Sequence, residues 1–285
     1  MKESSFEGIG GLKIFTRSWH PEGEPRGVVV IVHGFNSHSG QYLWVADQFA
    51  GNGLAVYALD LRGRGRSEGE RYYVEKIEDY TEDVETLVKQ AKSENPDLPV
   101  FLLGHSAGGV TACVYTLDYQ AEIDGLICES FAYDLPVPDI VLTFLKGLSY
   151  MTPHTHLFSL NNKDFSRDPN VVEEMNNDIL IKGESQPAHT AKVMLDAAAR
   201  LREGFPSITL PVLILHGTED KATNPSGSKE FYEATGSTDK TLKLYEGHYH
   251  DLLNDIDKEV VMADIINWID ERIPASSETS AASGI

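Results

Sequence analysis

The sequence predicts an α/β protein with a mostly parallel central sheet and helices on both of its faces. The first observation is a series of short segments, most of which are apolar throughout, as in strands buried on both faces of a sheet. These segments are residues 27–34, 54–61, 99–106, 123–130, 211–218 and 241–247. The second observation is that helical patterns separate them, and strands that alternate with helices are typical of parallel sheets.

Periodicity places two of the helices and an opening hairpin. In residues 76–93 and 258–272, apolar side chains recur every three or four positions, so each segment presents one apolar face to a core. Residues 4–20 contain two short strand-like segments around a glycine-rich turn, which predicts a β-hairpin at the start of the chain.

One long segment interrupts the alternation of strands and helices. Residues 131–205 contain prolines, an apolar piece at 139–151 and helical patterns, but no segment with the pattern of a buried strand. We interpret residues 131–205 as an inserted helical cap on a core formed by residues 1–130 and 206–273. Residues 274–285 are small and polar, which predicts a disordered tail.

Composition excludes several classes of partner. The chain has 24 Lys and Arg against 44 Asp and Glu, a formal charge of −20, which repels nucleic acid and anionic membranes. The first residues lack the apolar segment of a signal peptide, and no apolar run is long enough to span a bilayer. We therefore expect a cytoplasmic protein that makes at most transient membrane contact through its cap.

Cysteine and histidine usage gives no sign of a metal or a disulfide. Cys113 and Cys128 fall in helix-like and strand-like stretches, and we expect both to be buried free thiols. No group of His, Cys or carboxylate residues has the spacing of metal ligands, so no metal and no cofactor are expected.

A G-x-S-x-G pattern at residues 104–108 indicates a nucleophilic serine, because it follows a predicted strand and precedes a predicted helix. Such a sharp turn needs glycine two positions before and after the serine, where side chains would collide. The turn places the hydroxyl of Ser106 at a helix N-terminus, where N–H groups favour a developing oxyanion. The simpler interpretation is a serine that only caps the helix.

A serine nucleophile needs a base and an acid, which in this kind of fold follow it in the order acid, then histidine. Asp220 lies just after the predicted strand 211–218, at the sheet edge where α/β proteins bind ligands. Glu129 and Asp134, at the end of strand 123–130 and just beyond it, are alternative acids.

The histidine lies in the loop that follows the last predicted strand. Two residues, His248 and His250, compete for the role, and their position in this loop does not distinguish them. The histidine accepts the serine proton and is oriented in turn by the acid.

Two backbone N–H groups are needed to stabilise the oxyanion. One belongs to Ala107, the residue after the nucleophile, and the other to the loop that follows strand 27–34. Gly34 permits a tight turn there, so we predict that Phe35 donates the second N–H and that its ring faces the substrate pocket.

These motifs resemble the α/β-hydrolase superfamily and, within it, the monoacylglycerol lipase-like group of lysophospholipases and serine esterases. The resemblance extends over residues 10–273 and implies the α/β-hydrolase fold. It rests on VHGFNSHSGQY (32–42), ALDLRGRGRSEGER (58–71), LLGHSAGG (102–109), FSRDPNVVEE (165–174), PVLILHGTEDKATNP (211–225) and TLKLYEGHYHDLLND (241–255). The EGxxH signature of this group places the catalytic histidine at His250. Two departures are Ala107, where the group usually has Met, and Arg64, where it usually has His.

The resemblance implies a serine hydrolase that cleaves a carboxylic ester with a hydrophobic acyl chain. The residues predicted to contact the substrate are Phe35, His105, Glu129, Leu142 and Leu145. The apolar piece 139–151 would form an acyl groove, cap core or a membrane-touching lid. Three alternatives remain open: a broad esterase for short or aromatic esters, an aminopeptidase of the proline-iminopeptidase type with Glu129 as amine anchor, and a non-catalytic binding protein.

The segment RGRGR at residues 62–66 is a candidate phosphate or nucleic-acid site. Its glycines do not have the spacing of a dinucleotide-binding fingerprint. We therefore predict that its three arginines pair with acidic side chains around a structural turn.

Overall fold

The computed structural model describes residues 1–136 and 146–274. The strands are β1 (Lys2–Glu7), β2 (Lys13–Trp19), β3 (Gly27–Val32), β4 (Leu54–Leu59), β5 (Val100–His105), β6 (Gly125–Glu129), β7 (His156–Phe158), β8 (Gln186–Pro187), β9 (Val212–Gly217) and β10 (Lys240–Tyr245). The longer helices are α1 (Leu43–Gly51), α2 (Ile77–Glu94), α3 (Ala107–Tyr119), α4 (Pro169–Asn177), α5 (Ala188–Gly204), α6 (Pro225–Ala234) and α7 (Lys258–Asp270).

Eight strands form one sheet in the order β1-β2-β4-β3-β5-β6-β9-β10. The hairpin β1–β2 is antiparallel, as predicted, and β2 pairs antiparallel with β4. From β4 to β10 every neighbouring pair is parallel. The prediction of a mostly parallel sheet is therefore confirmed, and the carboxyl ends of β3, β5, β6, β9 and β10 all lie along one edge.

Both faces of the sheet are buried, which explains why its strands are apolar throughout. In β3, Val28, Val30 and Val32 belong to one core cluster, which also contains side chains of α2 and α3. Val29 and Ile31 point to the opposite face and join side chains of α1 and α7. Successive residues thus enter two different cores, and no position on the strand is free to be polar.

The described residues between β6 and β9 include β7, β8, α4 and α5, with β7 and β8 paired antiparallel. We call residues 131–205 the cap, as in the sequence-based interpretation, and its bounds as a domain stay a prediction. No helix within residues 1–136 and 146–274 is both long enough and apolar enough to cross a bilayer.

The arginines of RGRGR pair with acidic side chains, as predicted. Arg62 forms two hydrogen bonds of 2.8 Å with the carboxylate of Asp83, and Arg66 binds Glu3 at 2.7 Å. Arg64 forms an ion pair with Glu184 of the cap. Cys113 and Cys128 are buried free thiols, as the sequence predicts.

Candidate active site

Ser106 lies on the sharp turn between β5 and α3. Its backbone has φ 55° and ψ −121°, a conformation that costs a non-glycine residue energy and that the surrounding turn must hold in place. A Cβ atom on Gly104 would lie 2.5 Å from the carbonyl oxygen of Gly108 and 2.7 Å from Cα of Gly109. A Cβ on Gly34 would lie 2.7 Å from Cβ of Ser106. The glycines therefore let the turn form and let the loop after β3 approach the hydroxyl.

Three side chains from separate loops meet at the carboxyl edge of the sheet. The Ser106 hydroxyl lies 2.8 Å from Nε2 of His250, and Nδ1 of His250 lies 2.8 Å from Oδ2 of Asp220. An ionised carboxylate only accepts hydrogen bonds, so Nδ1 donates to Asp220 and Nε2 is free to accept the serine proton. His248, the competing histidine, instead has its Nδ1 3.9 Å from Asp255.

Asp220 is held as a charged acceptor. Its Oδ1 accepts the backbone N–H groups of Ala222 at 2.8 Å and Thr223 at 2.9 Å. Its Oδ2 lies 3.0 Å from Nε2 of His216. Burial alone would raise the pKa of Asp220, but the charge of His250 and the hydrogen bonds from His216 and His250 outweigh it and lower that pKa. Asp220 therefore stays ionised near neutral pH and can orient His250.

The two predicted N–H donors belong to residues next to the turn that carries Ser106. Ala107 is the first residue of α3, where backbone N–H groups have no partner within the helix. In the described ranges, neither Ala107 N nor Phe35 N donates to a protein acceptor. Phe35 follows Gly34, where a Cβ atom would meet Ser106, and Phe35 is 8% exposed. Both N–H groups are thus free to bind an anionic oxygen.

The remaining residues predicted for the site lie outside the triad and the two N–H donors. His105 and Glu129 are buried at the ends of β5 and β6, and Oε1 of Glu129 accepts the N–H of Leu253 at 3.1 Å. Asp134, an alternative acid, accepts a hydrogen bond of 2.6 Å from Ser226. Leu142 and Leu145 lie outside the described residues. Substrate contact by His105, Glu129, Leu142 and Leu145 stays a prediction.

A buried polar cluster beside the triad joins two residues named from the sequence, His105 and Glu129, to Asp251, which the sequence did not single out. His105, Glu129 and Asp251 offer ligand atoms that all lie within 4.8 Å of one another, a donor set that could hold a divalent cation. Both ring nitrogens of His105, Oε2 of Glu129 and Oδ1 of Asp251 have no hydrogen-bond partner among the described residues. Two features of the sequence point to this cluster: Glu129 ends an apolar strand, and Asp251 directly follows His250.

The two carboxyl groups of this cluster favour protonation. Burial, and secondly the charge of Asp251, raise the pKa of Glu129 well above its usual value. Burial raises the pKa of Asp251 to about 6. Glu129 therefore binds a proton in the folded chain at pH values where it has lost that proton in the unfolded chain. This difference destabilises the fold as pH rises above the unfolded pKa of about 4.3.

We expect Glu129→Gln to raise the melting temperature at pH 8 and to have a smaller effect at pH 5. Glutamine cannot ionise, and its amide oxygen can still accept the N–H of Leu253. Each kcal/mol added to the free energy of unfolding raises the melting temperature by roughly 2–4 °C in a chain of about this size. Thermal unfolding at both pH values measures the effect, with the exposed Glu174→Gln as the matched control. An equal shift at both pH values would contradict the raised pKa.

The fold and this site define an α/β-hydrolase with a serine nucleophile. A family model described as serine aminopeptidase, S33, matches residues 23–257. The chain belongs to this family. Within it, the chain is a serine hydrolase of the monoacylglycerol lipase-like group, an ester-hydrolysing enzyme, which confirms the resemblance seen in the sequence.

Similar proteins come from distant organisms. The monoacylglycerol lipase of Mycolicibacterium smegmatis is 34% identical over 269 residues, which cover 94% of this chain and 96% of that protein. The caffeoylshikimate esterase of Arabidopsis thaliana is 33% identical, and the match covers 95% of this chain and 86% of the esterase. The crystal structure of Paleococcus ferrophilus monoacylglycerol lipase superposes on this chain with a TM-score of 0.83 at 29% identity. The superposition covers 91% of this chain and 99% of the lipase chain.

Proposed function

We propose that the protein hydrolyses monoacylglycerols by acyl transfer through Ser106, His250 and Asp220. The observation that supports the mechanism is the pair of 2.8 Å hydrogen bonds that link the three side chains. The substrate class is supported by similarity along nearly the whole chain to the monoacylglycerol lipase of Mycolicibacterium smegmatis. A cytoplasmic location, predicted by the sequence, is part of the same proposal.

In the first step, Ser106 attacks the ester carbonyl while His250 accepts its proton. Asp220 keeps His250 in the required tautomer and stabilises the imidazolium that forms. The N–H groups of Phe35 and Ala107 bind the oxyanion, and the loss of one such donor typically costs about 10²–10³ in kcat. His250 then protonates the leaving alcohol, which departs and leaves an acyl group on Ser106.

In the second step, His250 accepts a proton from water, and the resulting hydroxide attacks the acyl group. The same N–H groups stabilise the second oxyanion, and Ser106 regains its proton from His250 as the fatty acid leaves. All these steps use protein groups and water alone. We assign substrate contact to Phe35, Leu142 and Leu145, three of the five residues for which the sequence predicts it.

Two alternative functions have different support. A broad esterase for aromatic esters is favoured by the small side chain of Ala107 and by the 33% identity to the caffeoylshikimate esterase. The aminopeptidase alternative needs an accessible acid that binds a free amine, and Glu129 is fully buried with Oε1 bonded to Leu253. This burial argues against Glu129 as such an anchor.

One substrate panel tests the proposal. Initial rates are measured on p-nitrophenyl esters from C2 to C16, on a long-chain monoacylglycerol and on proline p-nitroanilide, with Ser106→Ala as the control. We expect a maximum at long chains, strong monoacylglycerol turnover and no anilide cleavage. A maximum at C2–C6 with little monoacylglycerol turnover would replace the lipase with a small-ester esterase, and anilide cleavage would indicate the peptidase.

A further inference from the structure

The cap holds the loop that carries Phe35. We call residues 34–39 the oxyanion loop. The backbone N–H of Asn36 donates to Oε1 of Glu184 at 2.9 Å, and its side-chain Nδ2 donates to Oδ1 of Asn162 at 2.9 Å. Nε2 of His38 lies 2.7 Å from Oδ2 of Asp178. These three partners all belong to the cap, so the oxyanion loop is fastened to the cap at several points.

Arg64 connects the same carboxylate to the ring of Phe35. Its side chain is fully buried, forms an ion pair with Glu184 and donates to Oε1 of Gln186 at 2.8 Å. Its guanidinium carbon lies 3.9 Å from the centre of the Phe35 ring. We call Arg64 and Glu184 the clamp. An arginine suits this position because one planar group can pair with two acceptors and stack on an aromatic face.

The clamp fixes Phe35 from two directions. The guanidinium lies against its ring, and Glu184 binds the N–H of the next residue, Asn36. Asn36 has φ 51°, a left-handed conformation that non-glycine residues adopt only when neighbouring contacts hold them. The ring and the Asn36 N–H are attached to the two sides of the Phe35 Cα–C unit. Fixing both of them fixes the orientation of residue 35, and with it the direction of its own N–H.

The burial of the clamp makes it a strong constraint. Glu184 is 3% exposed and Arg64 is not exposed at all. Two opposite charges in such surroundings remain there only when they are paired, because an unpaired buried charge is strongly destabilising. Moving the cap segment that carries Glu184 would therefore break both the ion pair and the bond to the oxyanion loop.

We propose that Arg64 and Glu184 are positioning residues that aim the Phe35 N–H at the oxyanion, so that the docked cap completes the active site. This inference rests on the proposed function, in which Phe35 supplies one of the two donors. A consequence is that the cap segment around Glu184 stays on the core during turnover and is not the part that admits substrate.

Three variants test the clamp. Arg64→Met combined with Glu184→Gln removes both buried charges and keeps an amide acceptor for Asn36. Glu184→Asp keeps both charges but withdraws the carboxylate from Asn36. Arg200→Gln is the matched control, because it removes an ion pair between the cap and Asp118 of α3 without contacting the oxyanion loop.

We expect kcat on the preferred p-nitrophenyl ester to fall about 10–100-fold in the double variant and about 3–10-fold in Glu184→Asp, since small displacements of catalytic groups have effects of this size. KM should change by less than about threefold, because the bond to the oxyanion forms only in the transition state. The pH profile should keep its shape, since the triad is untouched. Arg200→Gln should stay within about twofold of wild type.

Wild-type kcat in either clamp variant, with a folded chain by thermal unfolding, would overturn the inference. So would a loss confined to KM, which would indicate a role in substrate binding alone. Failure of the proposed function looks different, because the unmodified enzyme would then hydrolyse esters without labelling of Ser106 by a fluorophosphonate. Labelling is therefore measured in every variant beside the steady-state rates. Glu184→Asp keeps both charges. It therefore still tests the inference if the double variant does not fold.

Discussion

Ser106→Ala is expected to lower kcat for ester hydrolysis by about 10⁶-fold, the size of effect measured when the nucleophile of a serine protease is removed. The Ser106 hydroxyl is the nucleophile, and its 2.8 Å contact with Nε2 of His250 provides the base that accepts its proton. When the hydroxyl is removed, only oxyanion binding by the N–H groups of Phe35 and Ala107 remains. Steady-state rates on the best p-nitrophenyl ester, with active-site titration of the wild type, measure the loss.

The control for this prediction is Ser130→Ala. Like Ser106, Ser130 is buried near the carboxyl edge of the sheet. It directly follows β6, and its hydroxyl has no hydrogen-bond partner among the described residues. We expect its kcat to stay within about threefold of wild type. A Ser106→Ala variant that keeps a tenth of the wild-type rate would show that another group attacks the ester.

Asp220→Asn is expected to lower kcat by about 10⁴-fold near neutral pH, the effect known for the corresponding change in a Ser-His-Asp triad. An asparagine no longer forces His250 into the tautomer whose Nε2 accepts the serine proton, and it does not stabilise the imidazolium. The fold should survive, because the amide oxygen can keep the bonds from Ala222 and Thr223 that Oδ1 now accepts.

Asp134→Asn is the matched control, since Asp134 is one of the alternative acids that the sequence allows. Its carboxylate binds Ser226 and Asn224, so we expect kcat within about threefold of wild type. Full pH profiles of kcat/KM should accompany both variants. Because the pKa of Asp220 is lowered, the acid limb of the wild-type profile should report a group other than this carboxylate. A large loss in Asp134→Asn and a small one in Asp220→Asn would reassign the acid.

The parts of the molecule that could be predicted are those with a local pattern. The strands were recognisable because burial on two faces leaves no polar position, and the turn around Ser106 because its glycines are sterically required at fixed spacing. His248 and His250 could not be separated by position in the loop. The resemblance favoured His250, and in the structure it is His250 that faces Asp220 while His248 turns toward Asp255.

The parts that could not be predicted depend on contacts between distant segments. Arg64 was expected to pair with an acid, but its partner Glu184 lies 120 residues further along the chain. Nothing local to either residue indicates the pairing, because the path of the cap decides it. The cluster of His105, Glu129 and Asp251 arises in the same way, from the neighbouring ends of β5 and β6 and the loop after β10.

The central claim is that ester hydrolysis proceeds through a covalent acyl group on Ser106. Its most direct test is fluorophosphonate inactivation followed by intact mass and peptide mapping, with residual ester hydrolysis measured on the same samples. We predict one phosphonyl group per chain, on the peptide that contains residues 102–110, and loss of activity in proportion to labelling. Full labelling of Ser106 with hydrolysis retained, or inactivation with the label on another residue, would contradict the account.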